Sequence, residues 1–280
     1  QDSLTYSSDE DFINGQIVKI PFGKTMRIGV MVSLTAKPKF ATKPIDSALE
    51  GSVLPDHLIK LAIWISEYYA TRLPFVFQSI LPTGLSKNRR KIAIDGPTIK
   101  RSSSVLKLTK DQEKVLKDIR SSRQTTHLLH GVTGSGKTKI YQELAQDALS
   151  KNQSVIILVP EISLTPQLSS EFKQLHENVM VLHSRLTEAQ KHQNWLTLLN
   201  SAEPWVLVGP RSTMFYPVNN LGLIVIDEAH EPSYQQDSQP QYNALRVARK
   251  LADLTTNNTK LILGSATPSV SDYYYAVETK

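Results

Sequence analysis

From Leu108 onward, short apolar runs alternate with longer stretches of helical character. The runs fall at Thr126–His130, Ser154–Val159, Val179–Leu182, Trp205–Val208, Leu221–Ile226 and Lys260–Leu263. Runs that are apolar throughout, not at every second position, belong to strands covered on both faces. Helices between such strands make the connections right-handed crossovers of a mostly parallel sheet. The pattern predicts one doubly wound α/β domain, with ligand loops at the C-terminal ends of its strands. Upstream the pattern differs. Gln16–Ile20 and Arg27–Val32 are β-branched runs separated by Pro21-Phe22-Gly23-Lys24, which predicts a hairpin with its turn over those four residues. Leu58, Leu61, Ala62, Ile65 and Tyr69 then recur at helical spacing after Pro55-Asp56, so a helix is expected to pack on the hairpin. Trp64, Tyr68 and Tyr69 invite a base-stacking reading, but core packing is the expected use of aromatics on that helix. The chain divides into a small, separate, mainly β unit with a C-terminal helix at 1–83, a linker at 84–107 and the α/β domain at 108–280.

Composition narrows the chemistry. With no cysteine among its 280 residues, the chain has neither disulfides nor cysteine-bound zinc, which suits a reducing cytosol. His176, His183 and His192 are too widely spaced for a metal site and are expected on the surface or as caps. The start of the chain carries Asp2, Asp9, Glu10 and Asp11 where a signal peptide would be basic and then apolar, and no apolar run reaches membrane-spanning length. A soluble, cytoplasmic protein without a membrane partner is expected. Net charge is +6, and the stretch from Gly84 to Lys110 alone holds eight basic residues against Asp95. Concentrated positive charge of this kind attracts a phosphate backbone through counterion release, without reading sequence.

The chemistry-bearing motif is Gly131-Val132-Thr133-Gly134-Ser135-Gly136-Lys137-Thr138, between an apolar strand and the helix-compatible run Ile140–Leu149. It fits the phosphate-binding loop G-x-x-x-x-G-K-T in its required strand–loop–helix setting. Its glycines let backbone N–H groups curl round phosphate oxygens at a helix N-terminus. Lys137 is expected to reach the β and γ phosphates of ATP, and the Thr138 hydroxyl to ligate Mg²⁺, a hard cation that favours oxygen. Asp227-Glu228-Ala229-His230 follows the strand Leu221–Ile226. There Asp227 would hold the same Mg²⁺, and Glu228 would orient or deprotonate the attacking water.

Three more loops sit at predicted strand ends: Pro160-Glu161-Ile162-Ser163-Leu164-Thr165-Pro166-Gln167, Gly209-Pro210-Arg211-Ser212 and Gly264-Ser265-Ala266-Thr267-Pro268. Together with the phosphate loop and the Asp-Glu-Ala-His box, their order resembles superfamily 2 DNA helicases, specifically the PriA family of primosomal replication-restart helicases. The resemblance spans nearly the whole chain. It implies a RecA-like P-loop lobe and ATP-dependent 3′-to-5′ unwinding of forked DNA. It also implies forked or single-stranded DNA, primosome proteins and single-strand-binding proteins as partners. By that resemblance Gln112 would contact adenine, Pro160, Thr165, Gln167, Gly209, Arg211 and Ser212 would contact a single strand, and Ser265, Ala266 and Thr267, with His230 and Tyr234, would couple nucleotide state to DNA. The N-terminal unit resembles the family's domain for the 3′ end of a nascent strand, with Gly23 and Lys43 at its contact positions.

Departures from the family pattern carry their own expectations. Leu4-Thr5-Tyr6 stands where the family shows Phe-Asp-Tyr. Residues 84–108 are too short for the family's winged-helix domain. Pro240 and Leu245 replace the Trp and Arg of its aromatic-rich loop. The family's second lobe, arginine finger and cysteine-bound zinc module have no counterpart in these 280 residues, and the first residue is Gln1. A truncated form is expected, one that binds ATP and DNA with little turnover, since an arginine finger is worth about 10³–10⁵ in rate. The alternative is a non-catalytic DNA-binding or regulatory module that holds ATP as a structural ligand.

Overall fold

The computed structural model describes residues 3–85, 108–164 and 166–278, so most of the expected basic linker and Thr165 lie outside the described residues. The N-terminal part opens with β1 (Tyr6–Ser7), β2 (Gln16–Phe22), β3 (Thr25–Val30), β4 (Lys43–Pro44) and β5 (Ser47–Val53). Strands β3-β2-β5 form an antiparallel sheet, and the two-residue strands β1 and β4 pair in parallel. The hairpin turn is tighter than its sequence suggests. Pro21 and Phe22 are paired with Met26 and Thr25, which leaves only Gly23 and Lys24 to reverse the chain. A two-residue turn with a left-handed first residue follows the natural twist of the strands, and Gly23 supplies it at φ +59°.

Two helices close this part, α1 (Asp56–Tyr68) and α2 (Leu73–Ile80). Leu58, Ile59, Leu61, Ala62 and Ile65 give α1 its buried stripe, as the helical spacing of the apolar positions requires. Trp64, Tyr68 and Tyr69 cluster in mutual ring contacts, with Trp64 and Tyr68 stacked at 4.8 Å, and Tyr68 stays exposed.

The remaining elements are α3 (Lys110–Ser121), β6 (Thr126–His130), α4 (Lys137–Leu149), β7 (Ser154–Leu158), α5 (Pro166–Lys173), β8 (Val179–Val181), α6 (Glu188–Leu199), β9 (Val206–Gly209), β10 (Leu221–Ile226), β11 (Gln235–Gln236), β12 (Tyr242–Asn243), α7 (Ala244–Leu254), β13 (Lys260–Ser265) and α8 (Val270–Glu278). Six parallel strands stand in the order β6-β13-β10-β7-β9-β8. Alternation along each strand divides the apolar side chains between two layers. Val155 and Ile157 face a core shared with α3, α4 and α5, while Ile156 and Leu158 face one shared with α6 and α7. The second of these cores continues without a break into α1, α2 and Ile17 of the N-terminal part. Within this core the apolar faces of α1 and α7 cover each other. Among the described residues, no helix is long and apolar enough to cross a membrane.

The histidines also differ from expectation. His176 acts as a local cap, its Nδ1 accepting from the Asn178 N–H at 3.1 Å, but His192 is buried on α6.

Candidate nucleotide site and strand-end loops

The phosphate loop begins where β6 ends, and Gly131 donates its N–H to the Ser265 carbonyl at the end of β13 (3.1 Å). Gly134 and Gly136 adopt φ of +79° and +81°, conformations that a side chain would strain. Val132, Thr133, Gly134 and Ser135 form the exposed rim, and Lys137 starts α4 with only 8 % of its surface accessible. Its ammonium donates to the Gly131 carbonyl at 2.9 Å and lies 3.5 Å from Glu228 Oε1. A buried cation is thus held inside a ring of glycine backbone, the arrangement that an anion's oxygens complete.

Gln112 reaches this loop from the first turn of α3. Its side chain closes a capping box with Thr109, and its amide nitrogen donates to the Ser135 carbonyl at 3.1 Å. A Cβ at position 136 would stand 2.4 Å from that nitrogen, so glycine is needed there for contact as well as conformation.

Asp227 follows β10 and is tied into the sheet by its N–H to the Leu158 carbonyl (2.9 Å). Burial pushes its carboxyl above the ordinary carboxylate range, opposed by a hydrogen bond from Tyr141 and reinforced by the neighbouring Glu228 charge. Tyr141, on α4, donates to Asp227 Oδ1 at 2.9 Å, and burial raises its own pKa so that it stays a donor. Tyr234 approaches from the other side: its hydroxyl donates to the Asp227 carbonyl at 2.6 Å, with the Leu158 carbonyl at 3.1 Å. Glu228 itself sits at φ +47°, a left-handed conformation that costs a non-glycine residue about 1–3 kcal/mol and gathers at functional sites.

The Asp-Glu-Ala-His box is laced to the Ser265–Thr267 loop. Ala229 donates to the Gly264 carbonyl at 2.8 Å, and His230 Nδ1 lies 2.9 Å from Ser265 Oγ and 3.6 Å from Glu228 Oε2. Ser265 Oγ also accepts from the Thr267 N–H at 3.1 Å, with Ala266 half-buried between them. These contacts bring the phosphate loop, the acidic box and the Ser-Ala-Thr segment into one cluster.

The expected DNA contacts are less uniform. Pro160 is buried and carries no N–H, and Gly209 is buried with its carbonyl accepting from the Val159 N–H (2.9 Å). Gln167 lies in α5, and Thr165 is outside the described residues. Ser212 is exposed on the short turn Arg211–Phe215. Arg211 does not extend into solvent: Nε donates to Gln236 Oε1 at 2.8 Å, and Nη1 donates to the Ser233 carbonyl. Gly23, in the β2–β3 turn, and Lys43, on β4, are both exposed. Tyr6 connects β4 to β2, pairing with Lys43 and donating its hydroxyl to the Pro21 carbonyl at 3.1 Å.

Two contributors escape the sequence reading. Tyr141 lies four residues after Lys137, where a hydroxyl-bearing ring among Ile140, Leu144 and Ala145 was the available signal. Gln236 gave none, since its importance rests on a contact with Arg211.

Residues 109–274 match the DEAD/DEAH box helicase family. The chain belongs to the DEAD/DEAH box helicases. Its larger part is accordingly a RecA-like lobe, and residues 1–82 match the 3′ DNA-binding domain (3′BD). Among similar proteins, the replication restart protein PriA of Helicobacter pylori is 36 % identical over 277 residues, covering 96 % of this chain and 42 % of the relative. PriA of Bacillus subtilis is 43 % identical over 173 residues, covering 60 % and 21 %, and PriA of Rickettsia felis is 33 % identical over 269 residues, covering 93 % and 40 %. The chain spans about two fifths of the length of the Helicobacter pylori and Rickettsia felis relatives it matches.

Proposed function

We propose that these residues form the ATP-binding first lobe and the DNA-binding N-terminal part of a replication-restart helicase of the PriA type, acting in the cytoplasm on forked DNA. The observation that carries this reading is the Lys137 ammonium, enclosed by glycine backbone and facing Glu228 beside Asp227. On ATP binding, Lys137 exchanges the Gly131 carbonyl for β- and γ-phosphate oxygens. Gln112 donates its amide nitrogen to the Ser135 and Gly136 carbonyls (3.1 and 3.5 Å), and on meeting adenine it exchanges the longer of these for N7 while its carbonyl keeps a lone pair for the N6 amine.

The donor set fits Mg²⁺. Thr138 and Asp227 offer one hydroxyl and one carboxylate, and this ion takes one or two protein oxygens while keeping its waters. Among the described residues no group of three or more His, Cys, Asp or Glu is arranged to hold a metal ion by itself, and none is needed for that mode. When bound, Mg²⁺ would neutralise negative charge on the nucleotide's phosphates. Glu228 orients the attacking water, and His230 hands the position of Glu228 to Ser265, Ala266 and Thr267. Tyr234 links the Asp227 backbone to the loop that holds Arg211, so DNA at Arg211 and Ser212 is felt at the acidic box. Gly23 and Lys43 meet the 3′ end of a nascent strand, and primosome proteins and single-strand-binding proteins are the expected partners.

By themselves these residues bind ATP and DNA with little hydrolysis, because the cationic finger that stabilises charge on the transferred phosphate is not supplied by the groups described above. The test is equilibrium binding of a fluorescent ATP analogue and of labelled forked DNA, with steady-state hydrolysis alongside. Lys137→Ala should abolish measurable ATP affinity and leave fork binding in place. Unchanged ATP affinity in that variant would sink the site, and brisk DNA-stimulated hydrolysis by the parent chain would sink the claim of low turnover.

A further inference from the structure

We infer that Tyr141 is a positioning residue for the Mg²⁺ side of the site, holding the Asp227 carboxylate in the orientation that the ion requires. The inference rests on the reading of Asp227 as the carboxylate that faces Mg²⁺. Tyr141 is 1 % exposed and lies in the core layer between α4 and the sheet. A phenylalanine would fill that space equally well. A hydroxyl in such surroundings must find an acceptor or leave a buried polar group unpaired, and this one finds Asp227 Oδ1 at 2.9 Å. One oxygen of the carboxylate is thereby fixed from inside the protein, and with the Glu228 backbone N–H also bonded to it the carboxylate resists rotation.

Gly264 supports this assignment independently. It is the β13 residue next to the Ser-Ala-Thr segment, and a Cβ built there would stand 1.7 Å from the Tyr141 hydroxyl and 3.5 Å from Asp227 Oδ1. The phenol occupies space that only a glycine at 264 leaves open. Tyr141 also stands three and four residues after Thr138 and Lys137 on one helix, which places it over the same turn. Three elements of the site are joined through this one hydroxyl: the helix bearing the phosphate lysine, the acidic strand end and the strand leading to Ser265.

Groups that hold a metal-facing carboxylate through a hydrogen bond change metal affinity by about 10–100-fold when removed. The experiment measures affinity of the full chain for a fluorescent ATP analogue, with Mg²⁺ and with EDTA, in the parent, in Tyr141→Phe and in Gly264→Ala. The parent should bind more tightly with Mg²⁺. Tyr141→Phe should lose about tenfold of that gain while its affinity in EDTA matches the parent. Gly264→Ala keeps the phenol but displaces its hydroxyl, so it should show the same selective loss, and it serves if the first variant does not fold. Equal weakening with and without Mg²⁺ would mean that Tyr141 merely supports the loop, and would overturn the inference. So would a full Mg²⁺ gain in the folded variants. A parent chain whose ATP affinity ignores Mg²⁺ would overturn the reading of the site itself.

Discussion

Arg211 and Gln112 each serve a contact inside the fold and retain capacity for a ligand. The guanidinium of Arg211 is joined to Gln236 and the Ser233 carbonyl, yet a guanidinium carries five N–H donors, so a phosphate oxygen can still be received. Arg211→Ala is expected to weaken single-strand binding evenly across sequences and to lower the slope of log affinity against log salt by about 1. A titration at several salt concentrations reads that slope, and an unchanged value would remove Arg211 from the DNA path. Gln112→Ala should lose the capping box, with about 1 kcal/mol of stability, and should weaken ATP more than GTP. Equal weakening of both nucleotides would assign Gln112 to the loop alone.

Among the elements, α1 carries an additional pH dependence. Burial lowers His57 from 6.5 to about 4, with Asp56 pulling the other way. The folded pKa lies below the unfolded one, so the unfolded chain binds the proton first as pH falls, and stability is present above the window and lost through it. Lowering the pH from 7 to 5 should remove about 1–2 kcal/mol through this residue. Melting curves at the two pH values should show a smaller drop for His57→Gln than for the parent.

The elements also show what the sequence could convey. All six strands of the large sheet are legible as apolar runs, because burial on both faces leaves few polar positions to confuse them. Their ends shift by a residue or two, as at β13, which continues to Ser265. The phosphate loop and acidic box are equally legible, since their chemistry is compressed into adjacent residues. Strands β1, β4, β11 and β12 are not, because two residues carry no period. Neither is the role of Tyr69, which accepts a hydrogen bond from the Asn243 N–H at 3.1 Å, a partner far along the chain. Nor could spacing show that Arg211 turns inward, since that depends on where β11 places Gln236.

At the scale of the whole molecule, the continuous core predicts that the N-terminal part and the lobe unfold together. Scanning calorimetry should record one transition, and two resolved peaks would contradict the shared core. Trp195 reports on the same junction: it is 2 % exposed on α6, and its Nε1 donates to the Ile80 carbonyl at the end of α2 (2.8 Å). Trp195→Phe keeps most of the apolar contact but leaves that carbonyl without its donor, for an expected loss of about 1–3 kcal/mol, measurable by urea denaturation.

That shared face also sets how the protein could be divided. Two polypeptides meeting within residues 86–107 would each present a sticky apolar side, α1 and α2 on one and α6 and α7 on the other. Expressed alone, each half should aggregate; produced in the same cell, the halves should find each other and copurify as a nicked but intact molecule, held by the same packing that makes the uninterrupted chain one body.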